Sequence, residues 1–255
     1  MSDFPEGGVA IVTGGSGGVG GAVSRALAVA GSDVVLTYHR NEAAARKTVE
    51  AIEASGRQAT AVCIDLRDEA AVADLIAGAA GRHGGIHTVV TAHGPFVNMQ
   101  FISKIPPSLF RESMEADVFG TFNVFHAAIP HLRKSKGSIV SMVTTAVGRA
   151  ALRDILSVAP KASIAALVRG VALEEGKFGV RANMIGVGLL TDGMHQALVE
   201  AGGLTPEIEE LARKRISLGH LGTSEEIANA TVFFASSKAK WITGQLLMVD
   251  GGMNG

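Results

Sequence analysis

The sequence predicts an α/β fold, a doubly wound parallel sheet of about seven strands with helices on both faces, and three observations carry that prediction. Seven short apolar runs alternate with alanine-rich segments whose apolar residues recur at spacings of three and four. The first run breaks abruptly into glycines and opens into a helix. With 255 residues, 47% of them hydrophobic and 18% charged, the chain suits one large domain, residues 1–255, with a substantial core.

In chain order, the β-branched run Val9–Val12 reads as a buried strand, extending to Thr13, and residues 18–30 as a helix of small apolar residues. Between them, glycines let the backbone take positive φ and let a pyrophosphate approach a helix N-terminus, whose free N–H groups favour anions. Thr13, Gly14, Ser16, Gly18, Val19 and Gly20 are therefore the expected dinucleotide cradle. A glycine turn also serves as a plain linker. Here a strand precedes it, a helix follows, and a second strand arrives on schedule at Asp33–Tyr38.

Ligands on such a sheet sit at the carboxyl ends of the strands. The second strand ends in Tyr38, His39, Arg40 and Asn41, with no acid to grip a ribose 2′-hydroxyl, and Arg40 offers a cation to a 2′-phosphate. NADP(H) is expected over NAD(H). A helix at 42–55 and a strand at Gln58–Cys63 follow; Asp65 then either accepts from an adenine amino group or caps the helix at 69–82, which opens near Asp68. The strand Ile86–Thr91 leads to Thr91-Ala-His-Gly94 and a loop with Pro95, Pro106 and Pro107, which puts His93 near the cofactor's ribose or nicotinamide end. The spacing then predicts a long helix near 107–134, a strand at Ser138–Val143, a helix near 157–177 and a strand at Val180–Ile185. Residues 187–215, irregular and glycine-punctuated before a polar helix, are the expected lid over a substrate. A helix at 224–236 and a strand at Gln245–Val249 close the chain.

A net charge of −1 gives no electrostatic reason to expect nucleic acid or a membrane surface. Cys63 is the only cysteine, which excludes an intrachain disulfide and points to a reducing, cytoplasmic setting. No charged-then-apolar leader opens the chain, no uninterrupted apolar run is expected to cross a bilayer, and the eight histidines show no metal-ligand spacing.

The order of motifs resembles the short-chain dehydrogenase/reductase family, particularly members similar to 3-oxoacyl-carrier-protein reductases. The resemblance spans the chain: Thr13-Gly-Gly-Ser-Gly-Gly-Val-Gly20 matches TGxxxGxG, and Asp65-Leu66, Gly137-Ser-Ile-Val140, Arg181-Ala-Asn-Met-Ile185, Ile242-Thr-Gly-Gln245 and Val249-Asp-Gly-Gly252 follow in order. It implies a Rossmann-type domain, a nicotinamide cofactor contacted also by Leu66, Gly94, Gly188, Thr191 and Lys161, and a homotetramer built on the two long helices. The implied chemistry uses Asn, Ser and a Tyr-x-x-x-Lys pair. The lysine lowers the tyrosine pKa and holds the ribose, the serine orients the substrate oxygen, and the tyrosine exchanges the proton.

Laid on this chain, that pattern keeps Lys161 but puts Asp117, Thr144 and Ser157 in the places of Asn, Ser and Tyr. The sole tyrosine, Tyr38, falls at the adenosine end. A phenol starts near pKa ~10, within reach of an ammonium, whereas an aliphatic alcohol lies several units higher at roughly 1.4 kcal/mol per unit. Ser157 is not a direct replacement acid. Pro160 is comfortable only in a first helical turn, which makes Ser157 a candidate N-cap. Four readings stay open: a cofactor-binding regulatory or oligomer partner, a reductase using His93, Lys161 or a held water as proton source, a non-redox lyase, isomerase or cyclase in the same cavity, and an altered chain. Phe96, Met99, Phe101, Leu189, Leu190 and Met194 suit a hydrophobic or acyl-like small molecule. His195 is expected to be solvated.

Overall fold

The computed structural model describes residues 3–5, 7–96 and 98–254. Its parallel sheet runs β3-β2-β1-β4-β5-β6-β7, with strands Val9–Thr13 (β1), Asp33–Tyr38 (β2), Ala59–Cys63 (β3), Ile86–Thr91 (β4), Ser138–Thr144 (β5), Arg181–Val187 (β6) and Leu246–Val249 (β7). Helices Gly18–Val29 (α1), Glu42–Ala54 (α2) and Glu69–His83 (α3) fill the first crossovers. Pro107–Met114 (α4), Gly120–Ser135 (α5) and Ile155–Glu175 (α6) follow, then His195–Glu200 (α7), Pro206–Arg215 (α8) and Ser224–Ala235 (α9).

Alternation along β1 builds both cores at once. Val9 and Ile11 point to the face covered by α3, α5 and α6, where Ile76, Val124, Phe125, Ile164 and Val168 are buried. Ala10 and Val12 point to the other, against Val23, Leu27, Ile52 and Ile227 of α1, α2 and α9. With both faces covered, the strands read as continuous apolar runs. The chain moves outward from β1 to β3, then returns to set β4 on the other side of β1. That reversal opens a crevice at the carboxyl ends of β1 and β4.

Several expectations change here. The helix near 107–134 is interrupted: α4 passes through a π-helical turn, Glu115–Phe119, before α5. The extra residue per turn rotates α5 relative to α4, a device concentrated at functional sites. The next helix, expected near 157–177, starts at Ile155 with Asp154 in the N-cap position, so Ser157 is not the cap and Pro160 lies inside the helix. The segment 187–215, expected to be an irregular lid, holds two helices, with α8 capped by Thr205 and opened by Pro206, and His195 bonds Glu209 across α7 and α8 at 3.2 Å. One run, Ile155–Phe178, is also long and apolar enough to cross a membrane by length and composition, contrary to the expectation. Its inner face, with Ile164, Ala165, Val168 and Ala172, is spent on the sheet.

Pro160 should orphan the carbonyl one turn before it, that of Leu156. The Ser113 hydroxyl of α4 donates to that carbonyl at 2.7 Å, and both residues are buried. Ser113→Ala should therefore destabilise the chain by about 1–2 kcal/mol. Urea unfolding of the single and double variants checks this: the cost should shrink in a Pro160→Ala background, where an amide is restored, and an undiminished cost would contradict the assignment.

Candidate active site

The turn after β1 is shaped by contacts only glycine allows. Gly14 has φ +71°, and a Cβ there would lie 2.8 Å from Ala92 O and from His93 N; at Gly20 it would lie 2.2 Å from Gly14 O. The turn and the helix start are thereby pressed against the end of β4. Helix α1 begins after Gly17 with no capping side chain and no acid in its first turn, which leaves its first amides available to an anion. Partly buried Ser16 and Val19 flank them, and Thr13 is fully buried beneath. These residues fit a dinucleotide.

The segment after β6 closes over the same spot. A Cβ on Gly18 would lie 2.5 Å from Gly193 Cα. Asp192 anchors that approach by accepting from Ser224 N at 3.1 Å and Ser224 Oγ at 2.9 Å. Thr191 donates through N and Oγ1 to Gly222 O, and Gly188 lacks a side chain because Asp250 Cα would be 2.6 Å from its Cβ.

At the outer strands, Arg40 is exposed and makes no hydrogen bond or ion pair among the described residues, while Asn41 caps α2 through Ala44 N at 3.0 Å. Asp68 caps α3, so Asp65 does not; Asp65 pairs instead with Arg67 at 2.5 Å, which holds its carboxyl down at about 2. Leu66 is buried beside Gly120, and its carbonyl accepts from Asn123 Nδ2 at 3.0 Å.

Lys161 and Asp117 form the centre. Lys161 Nζ donates to Asp117 Oδ1 at 2.8 Å and to His93 O at 3.0 Å, joining α6, the π turn and the end of β4. The Asp117 side chain is 4% exposed and that of Lys161 15%, so this is a buried pair. Gly94 leaves the lysine head open, since a Cβ there would touch Nζ at 3.4 Å. Thr144 ends β5, its Oγ1 accepting from Ala146 N at 3.2 Å. Ser157 lies one turn before Lys161, partly buried, its hydroxyl free of partners among the described residues.

His93 does not suit the acid/base part considered for it. Burial pushes its imidazole down to about 4, and both ring nitrogens are engaged, Nδ1 with Thr13 Oγ1 at 2.6 Å and Nε2 with Thr121 Oγ1 at 3.3 Å. It is a neutral strut between β1 and α5. Tyr38 ends β2, three strands from β5 in the sheet order, and no tyrosine reaches the lysine.

Two residues escaped the sequence reading. Asp154 sits partly buried at the start of α6, caps nothing, and is pushed up to about 6 by burial. Arg153 before it has φ +67°, a left-handed conformation costing about 1 kcal/mol or more outside glycine. It is held there by the substrate-side loop: Arg153 Nη2 donates to Met99 O at 2.8 Å, Gln100 N to Arg153 O at 2.8 Å, and the guanidinium lies 5.6 Å from the Phe101 ring centre. The available signal was the spacing of three between Asp154 and Ser157, close to one helical turn.

Residues 14–254 match a protein-family model described as enoyl-(acyl carrier protein) reductase. The chain is 31% identical over 249 residues to a 7alpha-hydroxysteroid dehydrogenase of Escherichia coli K12, covering 97% of this chain and 94% of that one. It is 31% identical over 247 residues to an L-fucose dehydrogenase of Oryctolagus cuniculus, covering 96% and 84%. A solved 7α-hydroxysteroid dehydrogenase, complexed with NADH and 7-oxo glycochenodeoxycholic acid, superposes with a TM-score of 0.89 at 30% identity, covering 98% and 96%.

His93 and the buried His87 are both held down to about 4. Unfolding lets them take up protons below their ordinary value near ~6.5, so stability should fall as pH drops from about 6.5 towards 4, by on the order of 2–3 kcal/mol for each. Urea midpoints at pH 7 and pH 4.5 should show this slope, and His93→Gln should flatten part of it.

Proposed function

The chain belongs to the short-chain dehydrogenase/reductase family of oxidoreductases, and from that premise we propose that it moves hydride between NADP(H) and a carbonyl/alcohol pair with a proton donor other than tyrosine. One observation carries the reading: a glycine turn leading into an uncapped helix start stands on the same sheet edge as a lysine whose head is fixed by Asp117 and His93 O.

When bound, the nicotinamide supplies or accepts the hydride. Thr13, Gly14, Ser16, Gly18, Val19 and Gly20 would hold the pyrophosphate, Gly94, Gly188 and Thr191 would hold the adjoining part of the nucleotide, and Asp65 and Leu66 would receive the adenine. Lys161 has three N–H groups and spends two, on Asp117 and His93 O, which leaves one for a ribose hydroxyl. Thr144 Oγ1 accepts from Ala146 N and keeps its own proton to orient a substrate oxygen. The NADP(H) preference rests on Arg40, an unpaired exposed cation where no acid follows β2. Exposed Phe96, Phe101 and Met194 along the substrate side suit a hydrophobic or acyl-like carbonyl compound.

The same reading includes a homotetramer. Phe119 and Phe122 are 58% and 51% exposed at the start of α5, and Leu173 is 85% exposed on α6. Only 33% of the apolar window in Ile155–Phe178 is buried within the chain, so much of that helix has apolar surface left for a second copy. A free, exposed Cys63 suits a cytoplasmic setting.

Calorimetry on nucleotide-free protein tests the cofactor claim. NADPH should bind at micromolar strength and more tightly than NADH, and Arg40→Ala should weaken NADPH by about tenfold, or ~1.4 kcal/mol, while leaving NADH unchanged. Equal loss for both nucleotides would remove Arg40 from that part. Binding of neither would favour a non-redox enzyme or an oligomer partner on the same scaffold.

A further inference from the structure

We propose that Asp154 supplies the proton that tyrosine supplies elsewhere in the family, handing it to the substrate oxygen through the Ser157 hydroxyl; the proposal rests on the hydride-transfer reading above. The placement comes from α6. Residues 157 and 161 stand one turn apart on the helix, so their side chains share a face, and Lys161 shows that this face borders the site; Asp154 is the residue just before the first turn. Asp154 meets Ser157 across that turn, its carbonyl accepting from Ser157 N at 3.0 Å.

Asp154 also behaves unlike three other polar residues that open helices here. Asn41, Asp68 and Thr205 each accept a backbone N–H of their own first turn through the side chain. At Asp154 only the carbonyl does so, accepting from Ser157 N at 3.0 Å and Val158 N at 2.9 Å. The carboxyl has no hydrogen bond or ion pair among the described residues, although it is partly buried. A polar group withdrawn from water without a partner is a cost the fold could have avoided by capping. Arg153, in its left-handed conformation and tied to Met99 and Gln100, sets where that carboxyl stands relative to the substrate-side loop.

The other candidates are spoken for. Lys161 is bonded to Asp117 and His93 O, and His93 is neutral with both nitrogens engaged. Ser157 alone is too weak an acid, but a hydroxyl that gives one proton while taking another never has to ionise. As hydride reaches the carbonyl carbon, the C=O π electrons move onto oxygen. That oxygen takes the Ser157 proton, Ser157 Oγ takes the Asp154 proton, and water later reprotonates the carboxylate; oxidation of the alcohol runs the same steps backwards. Burial raises the Asp154 carboxyl to about 6, a value that serves both directions near neutrality. Burial is the only cause, since Arg153 turns its guanidinium to Met99 O and Lys161 is paired with Asp117.

Two measurements test this. In nucleotide-free protein carrying ¹³C-labelled aspartate carboxyls, a resonance present in wild type and missing in Asp154→Asn should titrate with a midpoint near pH 6. A midpoint in the ordinary carboxylate range, about 4, overturns the proposal. With NADPH and 9,10-phenanthrenequinone or 1-phenyl-1,2-propanedione as carbonyl probes, the wild-type rate should fall as pH rises through that midpoint. Asp154→Asn should be slower by about a hundredfold with a flattened pH profile and unchanged NADPH affinity, and Asp154→Glu should recover part of the rate. The melting temperature of Asp154→Asn above pH 6 should match or exceed wild type, because an ionised carboxyl has left a partly buried place, and this separates a lost proton source from a lost fold. An unchanged rate and profile in Asp154→Asn, or a wild type that binds NADPH and reduces neither probe, overturns the proposal. A wild type that binds no nucleotide refutes the hydride-transfer reading itself, an outcome visible before any variant is made.

Discussion

The ion pair between Lys161 and Asp117 is the constraint on which the rest of the site depends. A carboxylate buried to this degree persists only beside a cation, and the cation must arrive from another element. Lys161 comes from α6, Asp117 from the π turn, and the third partner, His93 O, from the end of β4. The two core layers therefore need to bring α6, α5 and β4 to one point, and the glycines at 14, 20 and 94 keep backbone or lysine close there.

The same pair makes sense of two departures from the family pattern together. A lysine that acidifies a neighbouring phenol does so through its uncompensated positive field. Here a carboxylate sits 2.8 Å from the ammonium and cancels most of that field at the next helical turn. A tyrosine at position 157 would have gained little from such a lysine. On the proposed reading the paired lysine serves as an orienting donor.

Much of this was legible in the sequence. Apolar runs and the glycine break placed strands and early helices to within a residue or two, because a sheet buried on both faces leaves no polar ambiguity in its strands. The crevice at the carboxyl ends of β1 and β4 followed from strand order. The features that stayed hidden depend on partners distant in sequence. The π turn leaves no mark in the spacing of apolar residues around Asp117. Pro160 argued for a helix start near Ser157, and only Ser113, 43 residues before Leu156, supplies the hydroxyl that lets the helix begin sooner. His93 read as a titratable group because its burial is made by Thr13 and Thr121, from two other elements. Asp154 read as an ordinary loop residue because its failure to cap can be seen only when the cap is found missing.

The proline within α6 divides that helix mechanically. Beyond it, the long shaft carrying Lys161 is bonded turn to turn and braced against the sheet. Before it, the first turn, which carries Asp154 and Ser157, is fastened to α4 by the Ser113 hydroxyl and to the 99–101 loop by Arg153. The joint lies between the positions that a Tyr-x-x-x-Lys arrangement must keep in fixed register. In this chain a push on the 99–101 loop reaches one end of the joint and leaves the other standing, so Lys161 and the turn that carries Asp154 and Ser157 have separate suspensions.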